Sequence, residues 1–175
     1  MYHRVVENMQ GTILYPLNQL RDRYPNTYAE HLKKYTGREH VLETRIPSPL
    51  DCLWNDALHF TAVHPSTLFD NLKRVGYNAD ELVWKRWFKV PITLFNETDT
   101  IVCLYRRDIR LVPEVRDFQK FNPQKFDEYR TVPEETIEYY KEQYALGKRP
   151  LFFHHVPHIL FKGTIDTSNL DVVEL

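Results

Sequence analysis

Glycine is scarce in this 175-residue chain, and the chain carries almost no net charge. With 5 glycines, the sequence contains neither G-x-G-x-x-G nor G-x-x-x-x-G-K, so both common glycine-rich phosphate loops are excluded. A formal net charge of -1 gives no overall attraction to nucleic acid or to an anionic membrane. No apolar run approaches the ~20 residues that a membrane-spanning helix needs.

Cysteine is also scarce, since Cys52 and Cys103 are the two in the chain. The first residues, MYHRVVENMQGTILYP, lack the long apolar core of a signal peptide. Without a secretory context, we expect both cysteines to be free, buried thiols in a reducing compartment. The sequence therefore predicts a soluble cytoplasmic protein with no membrane association, folded as one domain over residues 1–175.

Aromatic residues are abundant by contrast, at 14% of the chain. Three short segments place histidines among aromatic or apolar residues: Tyr2-His3-Arg4, WNDALHFTAVHP at 54–65 and LFFHHVPHILFKG at 151–163. A buried histidine needs a partner for each ring nitrogen, or it costs stability. The segments predict a ligand-binding cleft if they converge in space, and separate polar networks if they do not.

Helices and strands are interspersed along the chain. Helical spacing and stop signals predict helices at 17–23, 28–34, 66–75 and 133–145. Short β-prone runs predict strands at 2–6, 82–88, 101–105, 151–153, 159–161 and 172–173. This order predicts an α+β fold with a split or curved, mainly antiparallel sheet and peripheral helices.

His154 and His158 form an H-x-x-x-H pair, a spacing that puts two zinc ligands on one face of a helix. Pro157 disfavours a helix there, and no third ligand stands nearby at clear metal spacing. A metal-dependent hydrolase using these histidines or His155 with Asp166 is one hypothesis. Surface or core histidines are the commoner interpretation, and we expect no metal.

Asp56 and His59 are a second candidate pair, because a turn could let the carboxylate orient the imidazole as a general base. The alternative is a structural turn in which Asp56 caps the backbone and His64-Pro65 leads into the next helix. No serine or cysteine stands in a nucleophile-elbow setting, so a hydrolytic triad is not expected.

A basic cluster follows the run IVCLY and could contact phosphates. Its members are Arg106, Arg107 and Arg110. Clustered arginines more often form a solvated face, and neighbouring acidic residues dilute this one.

Four short patterns follow one another along the chain. An aromatic-His pair, Tyr2-His3, opens it, and a glycine-led turn follows at 11–17. The run His59-Phe60-Thr61 comes later, and Glu128 stands ahead of Val132-Pro133. In this order the patterns resemble the ADP-ribosyltransferase-like superfamily. Within that superfamily, the order of patterns is most similar to that of the bacterial DNA-targeting ADP-ribosyltransferase toxins and the RNA 2'-phosphotransferase-like proteins.

The resemblance implies a role for each of these residues. In that superfamily the histidine holds the ribose of NAD, the aromatic residue stacks on nicotinamide, and the glutamate drives transfer. The implied NAD-binding residues are Tyr2, His3, Arg4, Phe60 and Thr61, and the implied catalytic residues are Glu128 and His59. Glu114 and Glu135 are alternatives to Glu128, and Arg4 stands where the superfamily usually has a small residue.

The leading hypothesis is an enzyme that cleaves NAD at the nicotinamide–ribose bond and transfers ADP-ribose to a macromolecular acceptor. The rivals are a non-enzymatic protein-interaction module and the metal-dependent hydrolase. The leading hypothesis requires His3, His59 and His158 to share one pocket. The acceptor and the oligomeric state stay open.

Overall fold

The computed structural model describes residues 1–78, 84–104 and 113–175. Its α-helices are α1 Leu20–Arg23, α2 Pro25–Leu32, α3 Pro65–Val75, α4 Phe126–Tyr129 and α5 Glu134–Ala145. Its strands are β1 Tyr2–Arg4, β2 Ile13–Leu14, β3 Arg45–Ile46, β4 Cys52–Leu53, β5 Leu58–Phe60, β6 Arg86–Lys89, β7 Thr100–Cys103, β8 Phe118–Lys120, β9 His158–Phe161, β10 Ile165–Asp166 and β11 Asp171–Glu174. Short 3-10 turns connect several of these elements.

The strands form small sheets in which the neighbouring strands are antiparallel. One sheet has the order β5-β9-β7-β8 and another the order β1-β6-β11, while β2 pairs with β10 and β3 pairs with β4. Together with the helices, these sheets confirm the predicted α+β class.

Alternation along β9 places the two faces of its sheet in different apolar clusters. Ile159 and Phe161 face a cluster that includes Phe60 and Phe121. Leu160 faces the opposite way, into a second cluster beneath β3 and β4. The sheet is therefore buried on both faces at β9, which fixes its register.

Helix α3 shows why the sequence forms its longer helices. His64 accepts a hydrogen bond from Ser66 N at 3.2 Å, and Pro65 occupies the first turn, where its missing N–H is harmless. Gly76 ends the helix with a φ of 115°, which favours glycine. The buried face of α3 packs against α5 in a third apolar cluster that includes Tyr140 and Trp87.

Two sequence predictions of local structure were wrong. The second predicted helix begins at Pro25 rather than at residue 28, because proline suits the first helical turn. Residues 151–153 form a turn rather than a strand. His155 follows there with a φ of 61°, which interrupts extended backbone, and Phe152 is buried against Trp87. The predicted strand at 82–88 begins outside the described residues, and its described part is β6.

Across the described residues, the search for a helix with the length and hydropathy of a membrane span found none.

Candidate functional site

The two larger sheets meet where β1 runs beside β5. Tyr2 N donates to Thr61 O at 2.8 Å, and Thr61 N donates to Tyr2 O at 3.0 Å, which forms an isolated bridge. Beyond this bridge β1 pairs with β6, and β5 pairs with β9. A cavity of about 490 Å³ lies at this junction, and residues from both strands line it.

The three histidine-containing segments converge on this cavity. The predicted residues that line it are Tyr2, His3, Arg4, His59, Phe60, Thr61 and His158. Ring contacts connect the segments, since the ring centroids of His3 and Phe60 lie 5.3 Å apart and those of Trp54 and His158 lie 6.3 Å apart. The geometric requirement of the cleft hypothesis, that His3, His59 and His158 share a pocket, is met.

Each of these three histidines donates one ring N–H to a backbone carbonyl, because a carbonyl oxygen can only accept. The pairs are His3 Nδ1 with Arg4 O at 2.6 Å, His59 Nε2 with Trp54 O at 2.9 Å and His158 Nδ1 with Val156 O at 2.9 Å. In a neutral imidazole the other ring nitrogen is then an acceptor.

Burial keeps these imidazoles neutral. Desolvation lowers the pKa of His3 to about 4 and that of His59 to about 3, and the hydrogen bonds to backbone carbonyls only partly offset this. The pKa of His158 is lowered by the same cause. At neutral pH this part of the cavity therefore holds three neutral rings, each with one hydrogen-bond acceptor.

Asp56 does not orient His59, so that interpretation was wrong. Its carboxylate accepts from Leu53 N at 2.9 Å and from Asn18 Nδ2 at 2.7 Å, which fixes the 3-10 turn at Trp54–Asp56. The structural alternative is confirmed, including the role of His64 at the start of α3.

A second group of cavity residues is cationic. Arg4 comes from β1, while Lys34 and Arg38 come from the segment that follows α2. Lys34 is exposed as a whole residue, yet desolvation of its ammonium group, together with Arg4 and Arg38, lowers its pKa to about 8. Among the described residues, no Asp or Glu lines the cavity. The cavity therefore has excess positive charge and suits an anionic ligand.

Sequence reasoning included Arg4 but missed Lys34 and Arg38 of this group, and it missed one further residue, Asn55. Asn55 lines the cavity and is 2% exposed. The hydroxyl of Tyr35 donates to Asn55 Oδ1 at 2.6 Å. Lys34 ends the predicted helix at 28–34, and nothing in the local pattern indicates that this turn lines the cavity together with β1 and β5.

Glu128 lies away from the cavity. It is in the short helix α4, not at a strand end, and its side chain is 65% exposed and 3.6 Å from Lys125 Nζ. The alternatives, Glu114 and Glu135, are also exposed and do not line the cavity. The geometry gives none of the three glutamates a place beside the histidines.

The remaining candidate residues from the sequence also differ in whether they line the cavity. His154 is buried, with its ring centroid 3.9 Å from that of Tyr139 on α5, while His158 lines the cavity. No group of three His, Cys, Asp or Glu residues that could hold a metal is found in the described ranges. Arg106, Arg107 and Arg110 lie outside the described residues.

Comparison of the chain with protein-family models, curated proteins and solved structures gave no match.

Proposed function

We propose that the cavity binds NAD and that the protein is an ADP-ribosyltransferase-like enzyme acting at the nicotinamide–ribose bond. One observation carries the proposal. The residues to which the resemblance gave a role in NAD binding, on β1 and around β5, line one cavity together with a cationic group, and no Asp or Glu of the described residues lines it. Its volume of about 490 Å³ falls in the usual range for small-molecule and cofactor sites.

The chemistry of the lining corresponds to the parts of NAD. Arg4, Lys34 and Arg38 offer cations to the pyrophosphate. The acceptor nitrogens of His3 and His59 suit the ribose hydroxyls, which are hydrogen-bond donors. Aromatic rings in the lining offer faces to the nicotinamide and adenine rings.

The proposed reaction breaks the bond between ribose C1' and the nicotinamide nitrogen. The bonding electrons leave with nicotinamide, which becomes neutral, and positive charge develops on the ribose. A nucleophilic group of a macromolecular acceptor then bonds to C1' and loses its proton to solvent. Neutral imidazole lone pairs held in place near the ribose would stabilise that charge without rearranging during the step.

His59 fits this scheme as a hydrogen-bond acceptor for the ribose or the incoming nucleophile. A pKa of about 3 makes its ring too weak a base to store a proton at neutral pH. Glu128 is given no step, because its exposed position on α4 offers no support for the catalytic role that the resemblance implied.

A thermal-shift experiment with NAD tests the proposal. Wild-type protein at 100 times the dissociation constant should gain about 2.7 kcal/mol of stability, and His3→Ala should lose this gain. His40→Ala is the matched control, because His40 is exposed and lies outside the cavity lining. Release of nicotinamide, followed by chromatography, would test cleavage. The absence of any shift at millimolar NAD would contradict the proposal.

We also place the protein in the cytoplasm. Cys52 and Cys103 are both buried and form no disulfide bond, which supports a reducing compartment. Fractionation of cells that express the tagged chain checks this, and recovery outside the cytosol would overturn it.

A further inference from the structure

Asn55 sits in the cavity wall on a turn that several hydrogen bonds hold in place. Asp56 accepts from Leu53 N and Asn18 Nδ2, and Trp54 N donates to Thr44 O at 2.8 Å. The backbone of Asn55 is therefore fixed on both sides. A side chain on such a turn is positioned before any ligand arrives.

The amide of Asn55 is half satisfied. Its Oδ1 accepts the hydroxyl of Tyr35 at 2.6 Å, but Nδ2 has no hydrogen-bond partner among the described residues, although it is buried. Burial raises the pKa of Tyr35 to about 12, so the hydroxyl stays protonated and can donate. Because buried polar atoms are nearly always paired, an unpaired amide nitrogen on a residue that lines a cavity calls for an acceptor.

The charges and hydrogen-bonding groups around the cavity indicate what kind of acceptor atom a ligand would offer to Asn55. Lys34 Nζ lies 4.9 Å from the centroid of the Tyr35 ring, so a cation borders the Tyr35–Asn55 pair. The second ring nitrogens of His3 and His59 are themselves hydrogen-bond acceptors, so they cannot donate to an acceptor atom of the ligand. A neutral N–H donor beside cations suits a ligand oxygen that carries no proton, either a phosphoryl or a carbonyl oxygen.

We propose that Asn55 is a specificity residue that donates from Nδ2 to an unprotonated oxygen of the bound nucleotide, with Tyr35 as the residue that positions its amide. This rests on the proposed function, since it takes NAD as the ligand. The oxygen belongs to the pyrophosphate or to the nicotinamide carboxamide. NAD has both groups, whereas ADP-ribose has the pyrophosphate and lacks the carboxamide.

The test measures the affinity of Asn55→Asp for NAD and for ADP-ribose by calorimetry. Asp keeps the shape and the acceptor for Tyr35 but removes the donor. We expect a loss of at least tenfold for both ligands if the oxygen is phosphoryl, and for NAD alone if it is carbonyl. Asn71→Asp on α3 is the control, because it adds the same charge at a half-buried site outside the cavity lining.

Further variants separate binding from folding. If Asn55→Asp is poorly folded, Asn55→Ala replaces it in the test, and we expect the same loss of affinity. Tyr35→Phe should weaken NAD less than Asn55→Ala does, and adding it to Asn55→Ala should cause little further loss, because both changes act through one amide. Additive losses in the double variant would overturn the positioning role.

Unchanged affinity for both ligands in folded Asn55→Asp and Asn55→Ala would overturn the assignment of Asn55 while leaving the proposed function intact. Failure of the wild-type protein to bind either ligand would instead overturn the proposed function, and with it this inference.

Discussion

The cavity has two groups of polar residues that respond differently to the same burial. Desolvation removes the charge from the imidazole group, His3, His59 and His158, whose pKa values are all lowered. Arg4 and Lys34 of the cationic group keep their charge at neutral pH even though desolvation lowers their pKa values too. Burial thus converts one cluster of basic residues into neutral acceptors beside cations, which is the combination that a sugar phosphate requires.

The largest expected effect is on stability in acid. His3 and His59 have folded-state pKa values well below the usual histidine value. In moderately acidic solution the unfolded chain therefore binds more protons at these residues than the folded protein does. The contribution of these two histidines to the free energy of unfolding is complete above pH 6.5 and is lost as the pH falls towards 4. Unfolding free energy should drop by up to about 1.4 kcal/mol per pH unit for each histidine in this range.

Denaturant unfolding at a series of pH values measures this slope. A variant carrying His3→Gln and His59→Gln should lose stability less steeply between pH 6.5 and 4 than the wild type. Parallel slopes for the two proteins would show that these imidazoles titrate normally in the folded state.

The next largest effect concerns the cationic group. Arg4→Ala should weaken NAD binding roughly 10- to 100-fold, because a charge-assisted hydrogen bond to phosphate is lost. Arg86→Ala is the matched control, since Arg86 lies on the neighbouring strand β6 and forms an exposed ion pair with Glu174. Calorimetry measures both, and equal losses would mean that Arg4 acts only through the general field of the protein.

Lys34 should show a smaller, pH-dependent effect. With a pKa of about 8, it is protonated below that pH and loses its charge above it, so NAD affinity should fall as the pH rises through 8. Lys34→Ala should cost about tenfold at pH 7 and less at pH 9. Its neighbour Lys33 forms an exposed ion pair with Glu30, so Lys33→Ala should leave the pH profile unchanged. A wild-type affinity that is flat from pH 7 to 9 would contradict this role.

The smallest expected effect is at Glu128. Glu128→Gln should change the rate of nicotinamide release by less than about twofold, because its exposed pair with Lys125 contributes little. A loss of activity by orders of magnitude, with unchanged NAD affinity, would restore the catalytic role that the sequence resemblance implied and would require α4 to approach the cavity.

Some features of the site could be predicted from the sequence and others could not, and each case has its own physical reason. The histidine segments could be found because histidine among aromatic residues is a local pattern, and burial makes it costly without a partner. Their convergence could not be predicted, since it depends on the bridge between Tyr2 and Thr61, which lie far apart in sequence. The α+β class followed from the spacing of helices and short strands.

Lys34, Arg38 and Asn55 could not be predicted from the sequence. Lys34 and Arg38 follow a short helix, and the same local pattern occurs wherever basic residues end a helix on the surface. Only the packing of this segment over the junction of β1 and β5 makes them part of a cavity. Asn55 is set apart by its buried and unpaired amide nitrogen, a property that tertiary structure creates.

The most direct test of the central claim is a crystal structure of the protein with NAD or ADP-ribose. Our account predicts the pyrophosphate beside Arg4 and Lys34 and the ribose against His3 and His59, within the cavity between the two sheets. A nucleotide bound elsewhere on the protein, or an empty cavity at saturating nucleotide, would contradict it.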